Sequence, residues 1–130
     1  MFATPQINVY AADVVRSLAF YQALGFEETF RTPDQGDPIH VELVLDGLKV
    51  GVASAASAVG DHGLDLDLSR PGRGMEIVLW TDDTDDAVAR LAAAGAPVLS
   101  PPHDWLGSLR VAWVADPDGN PVEVVQRQGG

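Results

Sequence analysis

Residues Gln6 to Ala11 alternate in character, with Ile7 and Val9 on one side and Gln6, Asn8 and Tyr10 on the other, which is the period of a strand with one packed and one polar face. Asp13 follows where a helix N-cap would stand. Val14, Leu18 and Tyr21 then recur at helical spacing until Gly25 supplies a stop, predicting a helix of about three turns. Three further strands are predicted at Phe26 to Arg31, His40 to Leu45 and Leu48 to Ala53, the last two joined by Asp46-Gly47, a pair suited to a tight hairpin turn. The order is βαβββ.

The same order then returns. Glu76, Val78 and Trp80 share one strand face and Met75, Ile77 and Leu79 the other. Asp82 or Asp83 caps a second helix, whose first turn carries Asp85 and Asp86 where carboxylates suit the helix dipole, and Gly95 ends it. Strands are predicted at Pro97 to Ser100, Leu109 to Ala115 and Pro121 to Gln126, with Pro101 to Ser108 read as a loop from its prolines and glycine. From Ser54 to Gly74 periodicity fades into small residues, acids, Pro71 and glycines, read as a connection.

The duplication shows directly in two segments 72 residues apart, Asp46-Gly47-Leu48-Lys49-Val50-Gly51-Val52 and Asp118-Gly119-Asn120-Pro121-Val122-Glu123-Val124. They align Gly51 with Glu123, and Gln6 aligns with Glu76 at an offset of 70. The expectation is one α+β domain over residues 1–130, made of two βαβββ modules at about 1–56 and 74–130 with a linker at about 57–73. Neither module is expected to bury its apolar face alone. Together they would form a curled mixed sheet with an open cleft and helices on the outside.

Composition narrows the chemistry. The chain has no cysteine, so disulfides, thiolate ligands and a cysteine nucleophile are excluded. Nineteen acids against eight bases give a net charge of −11, which argues against a nucleic-acid partner; it reads first as solubility, with a field that attracts a cationic ligand as the sharper alternative. No apolar run approaches the length of a membrane span and no signal peptide is read at the start, so a cytoplasmic location is expected. The run Asp61 to Asp67 lacks the spacing of an EF-hand and reads as solvated linker, and no phosphate-cradling glycine loop or nucleophile elbow is present.

Asp13-Val14-Val15-Arg16-Ser17-Leu18-Ala19-Phe20-Tyr21-Gln22-Ala23-Leu24-Gly25-Phe26, together with Gly95-Ala96-Pro97-Val98 and Asp116-Pro117-Asp118-Gly119-Asn120-Pro121-Val122-Glu123, resembles the vicinal oxygen chelate superfamily. That superfamily includes glyoxalase I, bleomycin resistance proteins, extradiol dioxygenases and fosfomycin resistance enzymes. The resemblance spans nearly the whole chain. It implies a glyoxalase/bleomycin resistance-like fold and, for metal-using members, ligand positions on the first and last strands of each module. Those positions fall here on Gln6, Gly51, Glu76 and Glu123. Gly51 has no donor, and Glu76 stands where many members carry histidine, so the resemblance leaves Gln6, Glu76 and Glu123 as an incomplete set for Ni, Mn, Fe or Zn. No metal is the first expectation, a divalent metal the alternative.

Glu76 and Glu123 are candidate bases, candidate anchors for a cation, or carboxylates paired with Arg110 or Arg127. Asn8, Tyr10, Trp80, Trp105 and Arg110 are the candidate ligand-binding residues: Tyr10 and Trp80 lie on the same strand faces as Gln6 and Glu76, and Trp105 is placed as a pocket wall or lid. Trp113 reads as ordinary packing, His103-Asp104 as solvated loop, and His40 and Glu42 as the wet face of a strand. Two functions follow. One is a small-molecule binding protein that, by the resemblance, sequesters an antibiotic or toxin in a homodimer cleft. The other is a metal-dependent lyase or isomerase of the glyoxalase type, with a metal-free enzyme using a carboxylate base as a third reading.

Overall fold

The Asp13 side chain accepts a hydrogen bond from the Arg16 backbone N–H at 3.2 Å, and the first helix starts there in a computed structural model that describes Met1 and residues 3–69 and 74–128. In chain order the elements are β1 (Ile7–Ala11), α1 (Val14–Ala23), β2 (Glu27–Thr32), β3 (His40–Leu45), β4 (Leu48–Ser54), α2 (Ala55–His62), β5 (Ile77–Trp80), α3 (Thr84–Ala93), β6 (Val98–Trp105), β7 (Leu109–Ala115) and β8 (Pro121–Arg127). Among the described residues they make an α+β fold of two four-stranded mixed sheets and three helices, each sheet being open at both edges. No helix among the described residues is long and apolar enough to cross a membrane.

The chain separates into two compact units, Met1–Ser69 and Arg70–Gly130. In the first the strand order is β1-β4-β3-β2, with β1 parallel to β4 and the other pairs antiparallel. The β3–β4 hairpin turns at Asp46-Gly47, both at positive φ, as two-residue hairpins of the right twist require. Val41, Leu43, Val50 and Val52 are fully buried, and α1 supplies Val14, Leu18 and Tyr21 as the apolar stripe that covers the sheet. The alternate strand positions, Gln6, Asn8 and Tyr10 among them, face the other way.

The second unit repeats the plan with order β5-β8-β7-β6 and β5 parallel to β8. Val88 and Leu91 of α3 pack towards β7 and β8, where Ala112, Val114, Val122 and Val124 are buried. Asp83 is the cap: its carboxylate accepts from the Asp86 N–H at 3.0 Å. Arg110 ties the helix down, its Nε and Nη2 donating to Asp85 at 2.7 and 2.9 Å and its Nη1 to Asp104 at 3.1 Å.

Two sequence expectations need correction. The stretch read as a connection from Ser54 onward contains α2, capped by the Ser54 hydroxyl at its start and by Gly63 in the left-handed conformation at its end. Its alanine-rich composition favours a helix even though its apolar stripe is narrow, with Ala58 its buried residue. Pro71 and its neighbours from 70 to 73 lie outside the described residues. The segment read as a loop after Ser100 is strand as far as Trp105. Pro101 and Pro102 are tolerated because β6 is an edge strand, with its register to β7 shifted between Val98 and Ser100 and again between Ser100 and His103.

Candidate functional site

Asp116 builds the turn that delivers Glu123. It is 1% exposed, and its carboxylate accepts from the Asp118 N–H at 2.9 Å, the Asn120 N–H at 2.8 Å and the Asn120 side-chain amide at 2.7 Å. The Asp116-Pro117-Asp118-Gly119-Asn120 loop is thereby fixed and β8 begins at Pro121. Register then does the rest. Glu123 pairs with Val78 on one side and Trp113 on the other, so all three side chains stand on the face opposite α3. Glu76, two residues before Val78, joins them at the lip of β5.

On that face the Trp113 indole Nε1–H donates to Glu76 Oε2 at 2.6 Å. The Glu123 carboxyl is held above the ordinary carboxylate range, first by its partial burial, then by the charge of Glu76, and by a hydrogen bond between the two carboxyls. A pair of this kind binds one proton between two oxygens, or a cation in its place. His103 stacks on Trp113 with ring centroids 6.3 Å apart and planes inclined by 26°, its Nδ1–H donating to the Pro101 carbonyl at 2.7 Å. Neither arginine expected beside these carboxylates is there. Arg110 lies on the α3 side, committed to Asp85 and Asp104, and Arg127 sits over the Trp80 ring at 4.6 Å from its centroid.

The first unit answers with a polar network above a glycine. Asn8, Gly51 and Glu42 are aligned across β1, β4 and β3. The Gln6 amide donates to Asn8 Oδ1 at 2.9 Å and to Glu42 Oε2 at 3.2 Å, His40 Nε2–H donates to the same Glu42 oxygen at 3.1 Å, and Lys49 lies 3.7 Å from Glu42 Oε1. These contacts, His40 foremost and Gln6 next, hold the Glu42 carboxyl below its usual range. The missing side chain of Gly51 is what makes room. A Cβ there would fall on Asn8 Oδ1 and lie 2.9 Å from His40 Cε1. Gly51→Ala is therefore expected to cost about 1 kcal/mol by pushing both side chains aside. In an Asn8→Ala background the cost should largely vanish, a non-additivity that denaturant unfolding of the four variants in the cycle measures.

The structure thus brings together Glu76 and Glu123 in one unit and Gln6 and Asn8 in the other. Tyr10 is half-buried two residues beyond Asn8 on the same face. Trp105 ends β6 at 55% exposure, and Trp80 stands at 57% at the far end of the Glu76 face. From the sequence Trp113 reads as packing and Arg127 as a partner of the carboxylates; neither the Trp113–Glu76 bond, nor Arg127 on Trp80, nor the joining of His40 and Glu42 to Gln6 was foreseen. Once Glu123 is placed, its alternation on β8 points to Arg127, but Trp113 needed the β7–β8 register.

The model of the Glyoxalase/Bleomycin resistance protein/Dioxygenase superfamily matches residues 4–124, and the chain belongs to this family. Among solved structures it is similar to hypothetical protein SA1046 from S. aureus, with a TM-score of 0.80, 22% identity and coverage of 97% of this chain and 95% of that one. TioX from Micromonospora sp. ML1 gives a TM-score of 0.69 at 25% identity over 95% and 99% of the two chains. The fosfomycin resistance protein FosX from Listeria monocytogenes gives 0.72 at 15% identity over 99% and 96%. No curated protein matches the sequence. Family members often bind a divalent metal, and the donor chemistry of this chain fits one poorly. Among the described residues no three or more His, Asp or Glu side chains gather in a group that could hold an ion. Within neither unit do the positions named from the resemblance make a shell: one offers two carboxylates, the other a single neutral glutamine oxygen, the Gln6 Nε2–H groups being given to Asn8 and Glu42.

Proposed function

We propose that this protein is a small-molecule binding protein of the glyoxalase/bleomycin resistance type, which sequesters a flat, cationic organic compound, such as an antibiotic or toxin, and works as a homodimer. The observation that carries this reading is the Glu76–Glu123 pair with the Trp113 indole against it. Two neighbouring carboxylates in partial burial are relieved either by a proton or by a cation, and an aromatic ring beside them favours a planar cation over a hydrated metal ion. The acidic net charge of −11 adds a field that draws a cation in. Because the ligand displaces a proton, its affinity rises as pH rises through the raised Glu123 value. Membership in a family that includes resistance proteins supports the same reading.

Calorimetry against a panel of flat cationic natural products tests it. The expected result is saturable micromolar or tighter binding, about one ligand per chain, with the compound recovered chemically unchanged. Protein purified without chelators that instead carries an equivalent of Ni, Mn, Fe or Zn, and converts a substrate only when so loaded, would establish the glyoxalase-type lyase reading in its place.

A further inference from the structure

Arg127 differs from four other described cations in what surrounds it. Arg31 lies 2.6 Å from Glu28, Lys49 3.7 Å from Glu42, Arg90 2.8 Å from Asp86 and Arg110 2.7 Å from Asp85. Arg127 instead rests on the Trp80 ring, and among the described residues it has no carboxylate within ion-pair distance. In a chain with nineteen acids, an arginine left without one is available to an anion from outside.

The place is a hollow. Trp80, Thr81, Asp82 and Arg127 line an open surface hollow of about 470 Å³. Its origin is topological. The Thr81 N–H donates to the Val125 carbonyl at 2.9 Å as the last rung between the parallel strands β5 and β8. Beyond it the chain turns away into α3 while β8 runs on to Arg127, opening a crevice at the carboxyl ends of the two strands.

Four kinds of chemistry meet there. Arg127 presents a guanidinium. Asp82 presents an exposed carboxylate that makes no hydrogen bond or ion pair among the described residues. Thr81 Oγ1 accepts from the Asp83 N–H at 3.3 Å, which leaves its own hydroxyl hydrogen to give. Trp80 presents an indole that is 57% exposed. We infer that this hollow binds an α-amino-acid zwitterion with an aromatic side chain: the carboxylate on Arg127, the ammonium on Asp82 and the ring against Trp80. An anion alone would meet Asp82 and a cation alone would meet Arg127, so a ligand carrying both charges is favoured over one carrying either. The site is distinct from the Glu76–Glu123 pair and stands without the sequestration reading above.

A matched trio of probes tests it: L-phenylalanine, 3-phenylpropanoate, which lacks the ammonium, and 2-phenylethylamine, which lacks the carboxylate. Each is titrated into the ¹⁵N-labelled full chain while the indole N–H signals of Trp80 and Trp113 are followed. L-Phenylalanine should shift the Trp80 signal with a dissociation constant at least about tenfold below those of the other two. Arg127→Gln should weaken L-phenylalanine and 3-phenylpropanoate by about tenfold and leave 2-phenylethylamine bound no more weakly than before, and Asp82→Asn should weaken L-phenylalanine while 3-phenylpropanoate binds no more weakly than before, so that the two converge. Equal constants for the three probes, no effect of Arg127→Gln, or no shift at Trp80 up to about 20 mM would overturn the inference. A response confined to Trp113 would also overturn it, and would place the ligand on the carboxylate pair.

Discussion

Asp116→Ala is expected to lower the unfolding free energy by on the order of 3 kcal/mol, because one buried carboxylate is removed and three donors are left without it. The carboxylate is 1% exposed and accepts from two backbone N–H groups and the Asn120 amide. The consequence reaches beyond stability. This loop sets where β8 begins, and β8 carries both Glu123 and Arg127. Asp116→Asn keeps one acceptor oxygen and should lose roughly half as much. Denaturant unfolding of both variants checks the ranking, and a loss under about 1 kcal/mol for the alanine variant would mean that the turn is held by other contacts.

Glu123→Gln is expected to change the pH dependence of stability with the opposite sign to an ordinary carboxylate loss. Glu123 binds its proton more tightly in the folded chain than in the unfolded one. The folded state therefore holds more protons in the window between the ordinary carboxylate value and the raised one, and stability falls as pH rises through that window. Glutamine carries a permanent amide where the shared proton would be, so the variant should lose this decline and be more stable than the parent above it. Glu28, Glu42 and Asp85 act the other way. Arg31, then His40 with Gln6, then Arg110 hold them below their usual range, and their support is lost as pH falls through those lowered values. The parent should thus be most stable between the two flanks, and Glu123→Gln should flatten the upper one. Unfolding free energies measured across mildly acidic to neutral pH read this directly, and identical profiles for the two proteins would remove the shared proton.

Much of the fold was legible because the packed strands alternate cleanly and the helices are capped in the ordinary way. Asp13 and the Asp46-Gly47 turn stand where their chemistry places them. Where the reading failed, a local rule was outweighed by position. Pro101 and Pro102 signal a loop in isolation, yet an edge strand with shifted register accepts them. Ser54 and Gly63 were the start and stop of α2, hidden by a narrow apolar stripe between them. At the site, Glu76 and Glu123 followed from the repeat, but their partners did not. Trp113 reaches Glu76 across 37 residues of sequence, and that contact is set by strand register, which no short-range pattern encodes. Gly51 told that a donor was missing. That Asn8 and His40 occupy the vacated space is a fact of packing.

The carboxylate pair as the seat of a flat cation is tested most directly by calorimetric titration of proflavine at physiological salt into three proteins: the parent, Glu123→Gln, and Asp34→Asn, which removes the same charge from an exposed position elsewhere. Saturable binding to the parent and to Asp34→Asn with the same constant is expected, with an affinity at least about tenfold lower for Glu123→Gln. Equal affinity in all three proteins would contradict it, because binding would then follow net charge and owe nothing to Glu123.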